Sequence, residues 1–157
     1  MALRWLSAVA ALAAAAAPAG AQQVRELGIQ AIGTLSDPAL AVGGVYAGWR
    51  PAKRARLSAS LGLGGSGGEV AWRGELLGHF LLAPTRREGF GVYLAGGVAA
   101  VAGRTDQGYL VLAAGIEGRP GAASGWFVEA GVGGGARLSA GYRWRWFPSW
   151  WYLVRSK

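Results

Sequence analysis

The sequence predicts an all-β chain: a transmembrane up-and-down antiparallel β-barrel of about eight strands, preceded by a cleaved signal peptide. Three observations carry this prediction. The N-terminus is of the export type, period-two alternation of apolar and polar residues runs through the rest, and the composition is membrane-like without membrane helices. Residues 1–21 hold a basic start at Arg4, an apolar run over 5–17 and the small residues Ala19, Gly20 and Ala21 of a cleavage site. That run is shorter than the ~20 apolar residues a membrane-spanning helix needs. Of 157 residues, 28 are Gly and 8 are Trp, only 15% are charged, and the mean hydropathy is +0.26. No later apolar run is long enough for a spanning helix, and each Gly inside one would cost helix stability by about 1 kcal/mol. The absence of cysteine excludes disulfides and thiolate metal sites.

Turn signals divide the exported part into eight segments of about the length a tilted barrel strand needs. The first, 25–35, sets Leu27, Ile29 and Ala31 against Glu26, Gly28 and Gln30. The second, 40–49, sets Val45, Ala47 and Trp49 against Gly44, Tyr46 and Gly48, and 50–53 read as the next turn. The third, 54–63, alternates Leu57, Ala59, Leu61 and Leu63 with Arg56, Ser58, Ser60 and Gly62, and 64–68 read as a flexible loop. The fourth, 69–82, opposes Val70, Trp72, Leu76, Phe80 and Leu82 to Arg73, Glu75 and His79. The fifth, 89–101, opposes Phe90, Val92, Leu94 and Val98 to Gly91, Tyr93, Ala95 and Gly97. The sixth, 109–118, opposes Leu110, Leu112 and Ile116 to Val111, Gly115 and Glu117. The seventh, 125–132, opposes Trp126, Val128 and Val132 to Phe127, Glu129 and Gly131.

The closing strand reads most clearly. Leu138, Ala140, Tyr142, Trp144 and Trp146 share one face, and Arg137, Ser139, Gly141, Arg143 and Arg145 share the other. Aromatic residues favour a membrane–water interface, and arginines on the alternate face point into a wet lumen. The connections also alternate. The first, third, fifth and seventh are Gly-rich or hold Asp37 or Asp106, whereas the second, fourth and sixth combine Pro with Arg or Lys. In an up-and-down barrel, alternate turns fall on opposite sides of the membrane, so the basic set and both termini share the periplasmic side. This arrangement gathers Trp49, Phe90, Trp126, Trp144 and Trp146 into an aromatic girdle at that rim. A soluble barrel would reverse the faces and need many charges outside, but the non-apolar face here is mainly Gly, Ala and Ser.

The lumen is the place where chemistry would reside. Arg56, Arg73, Glu75, His79, Glu117, Glu129, Arg137, Arg143 and Arg145 all project inward on this reading, and Glu129 and Arg137 flank the last hairpin. Charges in so narrow an interior must pair or be hydrated, which favours a polar plug over an ion path. His79 is the only histidine, and Glu75 on the same face lies about 13 Å away along a strand, so no acid–base pair follows from spacing. No catalytic, cofactor or metal site is expected. The basic pI of about 10.8 comes from scattered cations rather than a stripe, which argues against nucleic acid and for acidic lipid headgroups or lipopolysaccharide phosphates.

Ser139, Gly141, Trp144, Trp146 and the following Phe147 resemble the C-terminal assembly signal of bacterial outer-membrane proteins. With the signal peptide and eight alternating segments, the chain resembles the small eight-stranded outer-membrane β-barrel superfamily. The resemblance implies a location in the bacterial outer membrane. It also implies delivery by periplasmic chaperones, insertion by the barrel assembly machinery, and outer-membrane lipid and lipopolysaccharide as partners. Family members usually end on the terminal aromatic, whereas this chain continues through residues 148–157, an aromatic tail. The expected domain plan is signal peptide 1–21, barrel 22–147 and tail 148–157. The expected function is a non-enzymatic structural, lipid-interacting or surface role. The alternatives are a narrow pore of the same fold and a soluble periplasmic barrel holding a hydrophobic ligand.

Overall fold

The computed structural model describes residues 23–103 and 106–148, so the expected signal peptide and most of the aromatic tail lie outside the described residues. Eight strands follow one another: β1 (Val24–Leu35), β2 (Leu40–Ala52), β3 (Ala55–Ser66), β4 (Glu69–Leu81), β5 (Phe90–Ala102), β6 (Gln107–Gly118), β7 (Ser124–Val132) and β8 (Ala136–Trp146). Each pairs antiparallel with the next, and β8 returns to β1, with Arg25 opposite Trp146 and Leu35 opposite Ala136. Closure leaves no unpaired edge.

The alternation in the sequence becomes an inside and an outside. Leu27, Ile29, Val45, Leu61, Leu76, Leu94, Leu110, Leu112, Trp126 and Leu138 stand on the outer surface, while Glu26, Arg56, Arg73, Glu75, Glu117, Glu129, Arg137 and Arg143 are buried within. This is the reverse of a soluble protein. Turns two, four and six lie at the end where β1 begins and β8 finishes, here called the terminal end.

Two expected turns differ from the sequence reading. The segment 64–68 is not a flexible loop: β3 runs to Ser66, and Gly67 (φ +59°) and Gly68 (φ +85°) form the whole connection. Two successive positive φ values make the mirror-image turn whose twist matches paired strands. Residues 50–53 are not all turn either, because β2 continues to Ala52 past a register shift between Trp49 and Ala52. Pro51 is accommodated at that irregularity, where no ladder donor is required.

Inside, the barrel is layered. Toward the end opposite the termini, Ile32, Leu40, Val42 and Ala71 pack with Val101, and along β4–β6 Leu77, Ala99 and Val111 pack with Tyr109. Above them opens a mouth of about 390 Å³ lined by Thr34, Asp37, Ser66, Arg73, Gln107 and Tyr109 among others. The remaining lumen is polar. At the terminal end the turns after β4 and β6 fold together, with the Arg119 N–H donating to the Gly89 carbonyl and the Gly121 N–H to the Arg86 carbonyl, both at 2.8 Å.

Candidate functional site

The polar lumen is built from strand positions of one parity, so its charges converge without any loop supplying them. Near the terminal end two carboxylates hold four arginines. Glu117 accepts from Arg56 at 2.7 Å, Arg145 at 2.8 Å and Arg143 at 3.2 Å. Glu26 accepts from Arg50 Nε at 2.6 Å, with Arg56, Arg143 and Arg145 3.6–3.7 Å away. Arg50 also reaches the carbonyls of Pro84 and Pro120, and Arg145 those of Arg119 and Ala122, so the turns covering this end are bonded to the network.

A second group lies further up. Arg137 bridges both oxygens of Glu75 (3.0 and 2.7 Å) and donates to Glu129 at 2.9 Å. Arg73 donates to Glu75 at 2.7 Å and to the Gly133 carbonyl at 2.9 Å, while Ser139 donates to Glu129 at 2.9 Å. Tyr93 joins the two groups: its hydroxyl donates to Glu129 at 2.8 Å and accepts from Arg143 at 3.2 Å. Among the described residues, six buried arginines therefore face four buried glutamates.

Aromatic rings make up part of the difference. The Arg143 guanidinium lies 3.9 Å from the Phe127 ring centre and 4.8 Å from that of Tyr46, and Arg56 lies 5.1 Å from that of Tyr93. Such stacking favours a desolvated cation by roughly 2 kcal/mol. It gives a role to Nε of Arg56 and Arg143, which lack hydrogen-bond partners.

The rings fit because glycines stand opposite them. A Cβ on Gly115 would overlap the Tyr93 ring, and one on Gly141 would lie 2.6 Å from Phe127 ring atoms. Gly115→Val should expel Tyr93 and destabilise the barrel by about 1–3 kcal/mol, read as a lower urea midpoint of the refolded protein.

All nine residues of the expected lumen cluster are inward and buried, and eight of them join in the ion-pair network just described. His79 stands apart. Its Nε2 is 2.8 Å from the Ser58 hydroxyl, and its Nδ1 has no hydrogen-bond partner. Among the described residues no acid orients this buried serine–histidine pair, as a nucleophilic centre would require. Sequence reasoning placed Glu26 on the polar face without including it in the cluster, assigned Arg50 to a turn, and did not pair Ser58 with His79. Each depends on a partner more than twenty residues away, which strand parity alone does not identify.

Of the residues in the expected assembly signal, Ser139 and Gly141 have roles in the lumen, Trp144 and Trp146 point outward, and Phe147 follows β8, half-buried. The five expected girdle residues, Trp49, Phe90, Trp126, Trp144 and Trp146, all sit within a few positions of the strand ends at the terminal end.

No protein-family model and no curated protein matches the chain. Among solved structures it superimposes on the N-terminal β-barrel domain of Pseudomonas aeruginosa OprF with a TM-score of 0.62. The match covers 77% of this chain and 97% of that one at 13% identity. The fold is that of the OprF N-terminal barrel. At this identity the likeness is one of architecture: closed, eight-stranded and antiparallel, as the sequence predicted.

Proposed function

We propose that the protein is an integral barrel of the bacterial outer membrane with a sealed lumen, acting in a non-enzymatic structural and lipid-interacting role. The observation that carries this reading is the filled interior. The ion-pair network fills the polar half and reaches the mouth at Arg73, the turns bonded to Arg50 and Arg145 cover one end, and two apolar clusters occupy the interior beside the mouth. An eight-stranded barrel has room for side chains but for little else. Its outer surface, apolar from rim to rim, suits hydrocarbon and not water.

Two measurements test the reading. In fractionated cells the protein should be in the outer membrane, with a gel mobility that changes on boiling; recovery in the soluble periplasm would overturn the location. In planar bilayers the purified barrel should give no current steps above the bare-membrane baseline. Reproducible steps would replace the sealed barrel with a narrow pore.

A further inference from the structure

We propose that the terminal rim carries a built site for an anionic phospholipid, centred on Arg25 between Trp49 and Trp146. The inference rests on the membrane reading above and names the lipid class and the residues.

The rim is strongly asymmetric in charge. At the terminal end stand Arg25, Lys53, Arg54, Arg86, Arg87 and Arg119, with Glu88 as the acid among them. At the opposite rim the charged side chains among the described residues are the acids Asp37, Glu69 and Asp106. A cluster of cations at membrane-surface depth attracts anionic headgroups.

Within this rim Arg25 occupies a distinct position. It is exposed on the outer wall rather than in a turn, and its cross-strand partners are Trp49 on β2 and Trp146 on β8. The neighbouring carboxylate, Glu26, points the other way and is held by Arg50 inside the lumen. Among the described residues no acid pairs with Arg25. A guanidinium flanked by two indoles at interfacial depth provides donors for a phosphate between amphipathic rings suited to the headgroup layer.

Below the cation the wall is hollowed. A groove of about 630 Å³ is lined by Arg25, Leu27, Ala47, Gly48, Trp49 and Trp146, together with Glu26, whose carboxylate is turned into the lumen and held by Arg50. It shares Ala47, Gly48 and Trp49 with a second groove of about 440 Å³, which extends past Leu57 and Ala59 to Leu76 and Gly78. Ala47 pairs with Ala59 and Leu57 with Gly78, so small side chains keep the floor low beside the larger leucines and Trp49. Leu76 lies near the middle of β4, which gives the track a course from rim to mid-wall. A charge at the top and an apolar channel below match a phosphate headgroup with an acyl chain beneath it. The terminal rim faces the periplasmic leaflet on the membrane reading, so the occupant is a glycerophospholipid and not lipopolysaccharide.

The test uses the folded full chain in phosphatidylcholine vesicles, with brominated phosphatidylglycerol or brominated phosphatidylcholine as quencher of tryptophan emission. The wild type should prefer phosphatidylglycerol, and Arg25→Gln should lower that preference about fivefold, the factor that one cation near an anionic surface contributes. Arg25→Lys should retain most of it, and Lys53→Gln, in the turn, should change it less than Arg25→Gln. Equal preference in wild type and Arg25→Gln would overturn the site while leaving the membrane reading intact. A preference for lipopolysaccharide without one for phosphatidylglycerol would also overturn it. Absence of quenching by either lipid, with no heat-dependent gel mobility, would instead sink the membrane reading itself.

Discussion

Glu117→Gln should be among the most damaging single changes in the lumen, lowering the stability of the folded barrel by about 3–5 kcal/mol. The Glu117 carboxylate is the nearest counter-charge of three buried guanidiniums, those of Arg56, Arg143 and Arg145. Gln preserves volume and one acceptor but removes the charge, so three cations would depend on Glu26, at 3.6–3.7 Å. Removing one member of a buried ionic cluster strands its partners in a medium that solvates them poorly, which costs more than the net contribution of the pair. The lumen already holds more arginine than glutamate, so no spare carboxylate is at hand. Urea titration of the refolded protein reads the change. If Glu117→Gln fails to refold, the double variant Glu117→Gln/Arg145→Gln decides, because removing a cation with the anion should recover a large part of the loss. A single variant with an unshifted midpoint would show that the arginines are hydrated and not held by Glu117.

That cluster also shows how far the sequence could be read. Period-two alternation separates the two faces of each strand, and Arg56, Glu117, Arg143 and Arg145, inward by parity, are buried. Parity does not give height. Glu117 is on β6, Arg56 on β3 and the other two on β8, and they meet because strands tilt and stagger around a closed barrel. Glu26 and Arg50 illustrate the same limit. By sequence Arg50 reads as a turn residue because Pro51 follows it, but the strand continues through the irregularity and buries its guanidinium on Glu26. Glycine carried two meanings that composition cannot separate. Gly67 and Gly68 supply positive φ for a tight hairpin, whereas Gly115 and Gly141 provide space for Tyr93 and Phe127. The second use becomes visible only when the facing ring is known.

Leu112→Arg is expected to cost about 2–4 kcal/mol in a lipid bilayer, while Leu35→Arg should cost about 0–1 kcal/mol. Both side chains are exposed on the outer wall, Leu112 at 65% and Leu35 at 78%, so burial within the protein does not separate them. Depth does. Leu112 lies at the middle of β6, and Leu35 ends β1 at the rim away from the termini. A guanidinium at mid-wall must thin the bilayer or draw water into hydrocarbon, whereas one at the rim extends into headgroups. In water the same two substitutions would remain within about 0.5 kcal/mol of wild type, since neither fills a core position or breaks a bond. The difference between the two variants, measured by urea unfolding from vesicles, therefore reports the solvent the outer wall is built for. A graded penalty that falls from mid-strand to rim places hydrocarbon against the wall. Equal and negligible penalties would mean that the apolar exterior meets a different partner, and the membrane reading would fall with them.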